Sequence, residues 1–513
     1  MAALTTGGPV VLVGFMGAGK STAARALAEA LGVEAIDADV VLEEQLGMPI
    51  GRFFDERGES AFRAEEEPTL IRLLSEPAPR VIALSGGGVT SDAVRRALGA
   101  GGPVVWLDVD ADTAWSRVAG SDRPLARDRD HFHALHAERR PLYEAVADAH
   151  VPAGSLEAAL PSLVAWWREA PPETKLLWAR SRSGEYPVFI GGRLLEAGFY
   201  PVDGRRFLVT DGQVARWYAG LLGPVLGTAS IMPGEASKTV AHAEIVWTEM
   251  VKAGVTRDDH VAALGGGVVG DLAGFCAATY QRGIPVVQVP TTLVAQVDSA
   301  YGGKTGVDLA EAKNYVGAYH QPAAVLADVT TLRTLPDEER AAGFAEVVKT
   351  ALIAGGELWE RVRAGETDGT DTATILACVR TKLAVVAEDE RDADRRQVLN
   401  LGHTVAHGLE AATGYARYRH GEAVGLGLLA ALRLSDREEL RTEVAALLAD
   451  RGVPTRLEPE VDLDAVVLAI ERDKKRCGDG PVPFVLVEAP GDVRHGRPVE
   501  PGALRAALEE LAA

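Results

Sequence analysis

Short unbroken apolar runs alternate with stretches of helical period from Pro9 to about Val151. VVLVGF (Val10–Phe15), VIALS (Val81–Ser85) and VVWLDV (Val104–Val109) stay apolar over successive positions, as strands buried on both faces do. Between the first two, STAARALAEALG (Ser21–Gly32) sets Ala24, Leu27, Ala28 and Leu31 on one helical face. The alternation predicts a doubly wound parallel α/β domain over residues 1–168. The pattern then breaks at WWREAPPETKLLWARSRSGEY (Trp166–Tyr186), which holds two adjacent prolines, mixed charge and no clean period. This predicts a linker over 169–183. A second α/β pattern runs from YPVFIGG to LADVT and predicts another such domain over 184–335; from 336 to 513 the period is mostly helical.

Composition narrows the chemistry. With 73 Asp and Glu against 53 Lys and Arg, the formal net charge is -20, which argues against a broad nucleic-acid surface. A few focused basic side chains can still hold a small anion. The three cysteines, Cys276, Cys378 and Cys477, have no metal-like spacing and fit a reducing compartment. No apolar run is long enough to span a bilayer, and MAALTTGGPVVLVGF lacks a basic leader, so a cytoplasmic protein without membrane contact is expected.

GFMGAGKS (Gly14–Ser21) matches the phosphate-cradling G-x-x-x-x-G-K-[ST] pattern and sits between a strand and a helix, the context the motif needs. Backbone N–H groups freed by glycine converge on phosphate oxygens, Lys20 reaches the terminal phosphates, and the Ser21 hydroxyl suits Mg²⁺. In IDAD, Asp37 and Asp39 lie two apart at a strand end and so should face one side. One of them would support Mg²⁺ while the other handles an acceptor hydroxyl. Arg63, Arg123 and Arg139 suggest an anionic acceptor, because guanidinium forks match carboxylates. His131, His133 and His136 lie among charges and read as a solvated helix face.

GFMGAGKST, DADVVLEEQLGMPIGRFFDERGESAFRAEE, LSGGGV, RPL and RRPLY together resemble shikimate kinase over nearly the whole first domain. The resemblance implies an ATP cradle of Gly14, Gly17, Ala18, Gly19, Lys20, Ser21 and Thr22. It implies Mg²⁺ on Ser21 and Asp37, and shikimate held by Asp39, Arg63, Gly86, Gly87, Gly88 and Arg139. Arg123 is implied on a lid over ATP, with Lys20, Asp39 and Arg123 as catalytic residues. Ala126 follows RPL where the family usually has a second leucine, a change expected to affect lid packing.

In the second half, HVAALGGGVVGDLAGF (His260–Phe275) reads strand, glycine loop, helix, without the Lys and hydroxyl that Mg-ATP needs. It suits a pyrophosphate at a helix N-terminus, or simply close helix–strand packing. LNLGHTVAHGLE places His403 and His407 four apart on one helical face, YRHGEAVGLG adds His420, and AGFAEVVKTAL adds Glu346 with Lys349 one turn later. Two His and one carboxylate leave an open position suited to catalytic Zn²⁺, although spacing alone does not choose among the three His.

PGEASKT, GGGVVGDLAGFCAATYQRGI, QVPTTLVAQVDSAYGGKTGVD, KNYVGAYHQP, GFAEVVKTALI, LNLGHTVAHGLE and HGEAVGLG resemble 3-dehydroquinate synthase from about Gly184 to the C-terminus. The resemblance implies zinc, or another divalent metal such as Co²⁺, on Glu346, His403 and His420, which leaves His407 a catalytic residue facing substrate. It implies NAD on Glu235, Lys238, Gly266, Gly267, Val268, Asp271, Thr291, Thr292, Lys304 and Lys313. The substrate, a seven-carbon keto-acid sugar phosphate, would meet Arg282, Asp298, Lys304, Asn314, Lys349, Lys382, Arg396, Asn400 and His407, with Lys304 and Lys349 also catalytic. One of Lys474 and Lys475 would join them. A homodimer through this half is implied. The chain as a whole is thus expected to be a bifunctional enzyme using ATP with Mg²⁺ in one half and NAD with a divalent metal in the other.

Overall fold

A computed structural model describes residues 8–121, 123–309, 312–475 and 482–512. Cys477 and the side chains of Lys474 and Lys475 lie outside the described set. The chain divides into two compact units, Met1–Trp178 and Ala179–Ala513. The division falls inside the stretch expected as a linker, most of which is ordered: a helix ends at Glu169 and a strand occupies Lys175–Arg180. Its Leu176, Leu177 and Trp178 are buried, which the broken period did not reveal.

The first unit carries parallel strands β1 (Val10–Val13), β2 (Glu34–Asp37), β3 (Arg80–Ala83), β4 (Val104–Asp108), β5 (Ala149–Pro152) and β6 (Lys175–Arg180) in the order β2-β3-β1-β4-β5-β6. Every residue of β1 and β3 is buried, as their continuous apolar runs require. The strand order reverses at β1, so the loop that leaves its C-terminal end opens at the crevice where such sheets bind ligands.

In the second unit, strands β7 (Glu185–Gly191), β8 (Arg206–Asp211), β9 (Thr228–Ile231), β10 (His260–Gly265), β11 (Val286–Pro290) and β14 (Ala324–Asp328) lie parallel in the order β7-β14-β11-β10-β8-β9. Strands β12 (Lys304–Leu309) and β13 (Ala312–Tyr319) form a separate antiparallel pair. Phe207, Val246, Met250, Val261 and Leu272 fill the core between sheet and helices. The last part is helical as expected, but it also holds an antiparallel hairpin of β15 (Val482–Ala489) and β16 (Asp492–Val499). Its short alternating runs were hidden by the helical pattern on either side.

Three helices of this last part carry the residues of interest: Asp337–Ala354, His403–Ala412 and His420–Leu434. They meet at backbone distance. A Cβ on Gly421 would lie 1.8 Å from the Ala342 carbonyl oxygen, and one on Gly427 would lie 2.0 Å from the Gly402 carbonyl oxygen. No larger residue fits either crossing without moving a helix. Gly421→Ala is therefore expected to cost about 3 kcal/mol through overpacking; thermal melting of the purified variant checks it.

Candidate active sites

The phosphate loop of the first unit leaves β1 and enters the helix Lys20–Leu31. Gly17 has φ 84°, and a Cβ there would stand 2.8 Å from the Ala114 carbonyl oxygen, so its glycine is required twice over. Lys20 folds back onto the loop, donating from Nζ to the carbonyls of Gly14 (2.8 Å) and Phe15 (3.2 Å). Burial brings its pKa down to about 8, with Asp39 opposing and Arg123 adding to the shift. Arg117 donates to the Gly17 carbonyl at 2.9 Å. Arg123 itself is exposed, just before a short turn of helix whose Ala126 is buried.

Asp37 and Asp39 do come together, but not as alternate residues of one strand. Asp37 ends β2 and caps the helix Ala38–Leu46, its Oδ1 accepting the Asp39 N–H at 3.0 Å. Asp39 is thus on the first helical turn, where burial raises its pKa while Lys20 lowers it.

Next to this pair lies a charged nest around Gly86–Gly88. Arg63 pairs with Glu59 at 2.9 Å and with buried Glu66 at 2.5 Å, and Ser85 Oγ donates to the other Glu66 oxygen at 2.5 Å. A Cβ on Gly87 would lie 2.0 Å from the Arg63 guanidinium, so glycine there keeps the cation's approach clear. Tyr143 donates from its hydroxyl to the Gly86 carbonyl at 2.5 Å. Arg139, one helical turn earlier, is 3% exposed, and its Nε has no hydrogen-bond partner. An unpartnered buried guanidinium nitrogen beside a second arginine fits an anionic ligand.

The three histidines of the helix Arg129–Val146 do not form one solvated face. His131 is exposed, His133 lies 3.3 Å from Asp112, and half-buried His136 bonds the Val109 carbonyl at 2.8 Å and packs edge-on against Phe15 of the phosphate loop. The helix there turns one edge inward, and His136 rides on it.

In the second unit, Glu346, His403 and His420 bring ligand atoms within 4.8 Å of one another, the one such group found among the described residues. Glu346 Oε1 lies 3.5 Å from His420 Nε2 and 3.7 Å from His403 Nε2. Both carboxylate oxygens are buried without a well-formed hydrogen bond, although Lys349 Nζ stands 2.6 Å from Oε2. The other ring nitrogens are engaged: His403 Nδ1 faces the Leu401 carbonyl at 3.2 Å, and His420 Nδ1 faces Glu410 Oε1 at 3.1 Å. Both Nε2 atoms therefore point at the Glu346 carboxylate, the donor set and outer support of a divalent cation site. His407 lies beside the pair, its ring 5.6 Å from that of His403 and 6.5 Å from that of His420, and is not in the ligand group.

The electrostatics follow from burial and the lysine. Burial opposes ionisation of Glu346, but Lys349, His420 and His403 hold it well below the usual carboxylate range. Burial and Lys349 push His403 down to about 3; burial also acts against charge on His420, yet Glu346 and Glu410 raise it to about 9. Asp298 takes Lys382 at 2.7 Å and Lys349 at 3.7 Å, and despite burial these cations hold it at about 2.

Around the glycine run, Lys238 pairs with Asp271 at 2.9 Å and Glu235 at 3.3 Å, and Lys313 pairs with Glu235 at 3.2 Å. Gly266 and Gly267 begin the helix Gly267–Thr279. A Cβ on Gly266 would lie 2.9 Å from the Thr292 methyl, and one on Gly267 would lie 3.0 Å from Ser299 Oγ. Close packing against Thr292 and Ser299 thus demands these glycines. Thr291 is buried with its hydroxyl unpartnered, and Val268 is half-buried against the core.

Other expected residues sit further out. Lys304 pairs with Asp392, Arg282 is exposed with φ 71°, and Asn314, with φ 58°, donates its N–H to Asp308 at 2.7 Å. Arg396 is 2% exposed and donates to the carbonyls of Glu390 (2.5 Å) and Gly302 (3.0 Å), which secures both segments. Asn400 ends a short helical turn two residues before Gly402.

Comparison with known proteins decides between related chemistries. Residues 228–342 match the family model for the 3-dehydroquinate synthase N-terminal region, and residues 343–476 match that for its C-terminal region. A 3-dehydroquinate synthase from Symbiobacterium thermophilum is 43% identical over 351 residues, which cover 64% of this chain and 98% of the relative. The chain belongs to the 3-dehydroquinate synthase family. Residues 16–162 match the shikimate kinase family model, so the synthase follows a shikimate kinase domain and the protein is bifunctional. Among solved structures, a 2-epi-5-epi-valiolone synthase from Streptomyces hygroscopicus subsp. jinggangensis, with NAD⁺ and Zn²⁺ bound, is 27% identical, with a TM-score of 0.59 over 65% of this chain and 98% of that one. A 2-deoxy-scyllo-inosose synthase shares the fold at 23% identity and the same TM-score, covering 66% of this chain and 99% of that one.

Sequence reasoning missed several residues of these sites. Tyr143 lies within RRPLY and bonds the Gly86 carbonyl, Ser85 lies within LSGGGV and donates to Glu66, and Glu410 follows His403 and His407 at helical spacing. Each sits inside a recognised motif, but only the folded chain shows what it touches.

The depressed pKa of Lys20 gives a pH prediction. Phosphate oxygens favour the charged lysine, so nucleotide binding is full strength below the free value of about 8. It weakens as pH rises past that value, by at most about tenfold per unit. Titration with a fluorescent ATP analogue between pH 7 and 9.5 checks the slope, and Lys20→Met should flatten it.

Proposed function

We propose that the first unit transfers the γ-phosphoryl group of ATP, with Mg²⁺, to shikimate at the site joining the phosphate loop to the Gly86–Gly88 nest. The observation that carries this is Arg139, buried with an unpartnered Nε beside Arg63, one step from Asp39 and Lys20. Arg63 and Arg139 hold the acceptor carboxylate. Asp39, its basicity raised by burial, accepts the hydroxyl proton. Lys20 and Arg123 offset charge on the transferring group. Ser21 and Asp37 hold the metal ion.

We further propose that the second unit converts 3-deoxy-D-arabino-heptulosonate 7-phosphate to 3-dehydroquinate and phosphate. The carrying observation is the buried Glu346 carboxylate whose Oε1 faces two imidazole Nε2 atoms, which fits a divalent cation such as Zn²⁺ or Co²⁺. When bound, the metal supplies Lewis acidity at a substrate hydroxyl, and NAD supplies a reversible hydride acceptor. Lys349 and Lys382, held by Asp298, place the substrate's anionic groups, an orientation effect of large consequence for rate. His407, beside the ligand pair, handles a proton on the substrate side. The glycine run and the Glu235, Lys238 and Lys313 cluster receive the dinucleotide.

This half pairs as a homodimer in the cytoplasm. Support comes from β9, which ends the sheet, and from exposed apolar side chains on elements next to it: Trp217 (64%), Met232 (74%) and Ile245 (55%). Among the described residues no helix is long and apolar enough to cross a membrane. Sedimentation equilibrium should return twice the 54.2 kDa chain mass.

Paired assays on the purified protein test both activities. Lys20→Ala should lower shikimate phosphorylation at least 100-fold and leave phosphate release from the seven-carbon substrate intact. His403→Ala should do the reverse. Phosphate release that survives complete metal removal would sink the metal assignment.

A further inference from the structure

One buried acid stands outside the roles above. Glu410 is 3% exposed and lies on the helix that carries His403 and His407. Its Oε1 faces His420 Nδ1 at 3.1 Å and Lys313 Nζ at 3.4 Å, and its Oε2 has no hydrogen-bond partner. Lys313 in turn stands 3.2 Å from Glu235, which lies 3.3 Å from Lys238, which lies 2.9 Å from Asp271 on the helix that follows the glycine run. A chain of charged contacts therefore runs without a gap from Glu346 and His420 to the proposed dinucleotide pocket.

We propose that Glu410 is a positioning residue that, through Lys313, couples metal binding at His420 to dinucleotide binding at Glu235 and Lys238. The proposal rests on the reading of these two pockets given above. A cation on His420 Nε2 fixes the ring's orientation and keeps the proton on Nδ1, so the contact with Glu410 is held in one geometry. The carboxylate is then fixed, and Lys313 is held between it and Glu235. The pocket is ordered before the dinucleotide arrives, so less ordering cost remains at binding. By linkage the dinucleotide tightens the metal by the same factor.

Direct electrostatics between metal and nicotinamide would also couple the two ligands, but that route does not pass through Glu410. The carboxylate-to-amide change Glu410→Gln separates the two. It keeps shape and removes the charge that Lys313 and His420 share.

The test is a binding cycle with no turnover. NAD affinity is measured by calorimetry on chelator-stripped and Zn²⁺-loaded full-length protein, and Zn²⁺ affinity by competition with a chromophoric chelator, with and without NAD. In the parent protein Zn²⁺ should tighten NAD about fivefold or more, with the same factor in the reverse direction. In Glu410→Gln both ligands should still bind and the factor should fall to about one. Lys313→Met, which leaves the His420 contact in place, should lose the coupling as well, and it carries the test if Glu410→Gln does not fold. An unchanged factor in either folded variant, or a factor of one in the parent, overturns the proposal. A parent protein that binds Zn²⁺ but not NAD instead overturns the dinucleotide reading, and this inference with it.

Discussion

Contact between bare backbones is the constraint on which the second unit's chemistry rests. At Gly421 the chain passes so close to the Ala342 carbonyl that even a methyl group is excluded, and Gly427 meets Gly402 in the same way. Helices that approach through side chains are held 8–10 Å apart axis to axis; these come nearer, and short side chains such as Glu346 can then reach imidazoles on two neighbours. The arrangement forces a carboxylate out of water. Such a group is unfavourable unless charge is supplied locally, and Lys349, one turn along the same helix, supplies it at 2.6 Å.

The first unit solves a similar problem with different parts. Its charged nest around Gly86–Gly88 holds two arginines near one another, and Glu66 makes this tolerable by pairing with Arg63 while also taking the Ser85 hydroxyl. Tyr143 pins the same loop from the other side through the Gly86 carbonyl. The two Gly-Gly-Gly stretches therefore look alike in sequence for unlike reasons. Gly87 clears space for a guanidinium, whereas Gly266 and Gly267 clear space for Thr292 and Ser299.

Much of this was legible before folding. Unbroken apolar runs marked β1, β3 and β4, and the spacing of His403 and His407 fixed their shared face. Which imidazoles face Glu346 was not legible from spacing, because that depends on which ring nitrogen reaches the carboxylate, and Leu401 and Glu410 set it. The geometry of Asp37 and Asp39 was misread because β2 stops at Asp37, and a capping hydrogen bond took over from strand alternation. Strand β6 was missed because two prolines precede it, although its Leu176, Leu177 and Trp178 are buried. The hairpin β15–β16 was lost among the flanking helical patterns, although Pro490 and Gly491 mark its turn.

Lys20 closes on its own loop, bonding two carbonyls of the segment that would cradle phosphate. The ammonium satisfies two carbonyl oxygens that would otherwise face inward alone, so the helix that begins at Lys20 is tied by its own first residue to the loop that leads into it, and the curvature of that loop is braced from within.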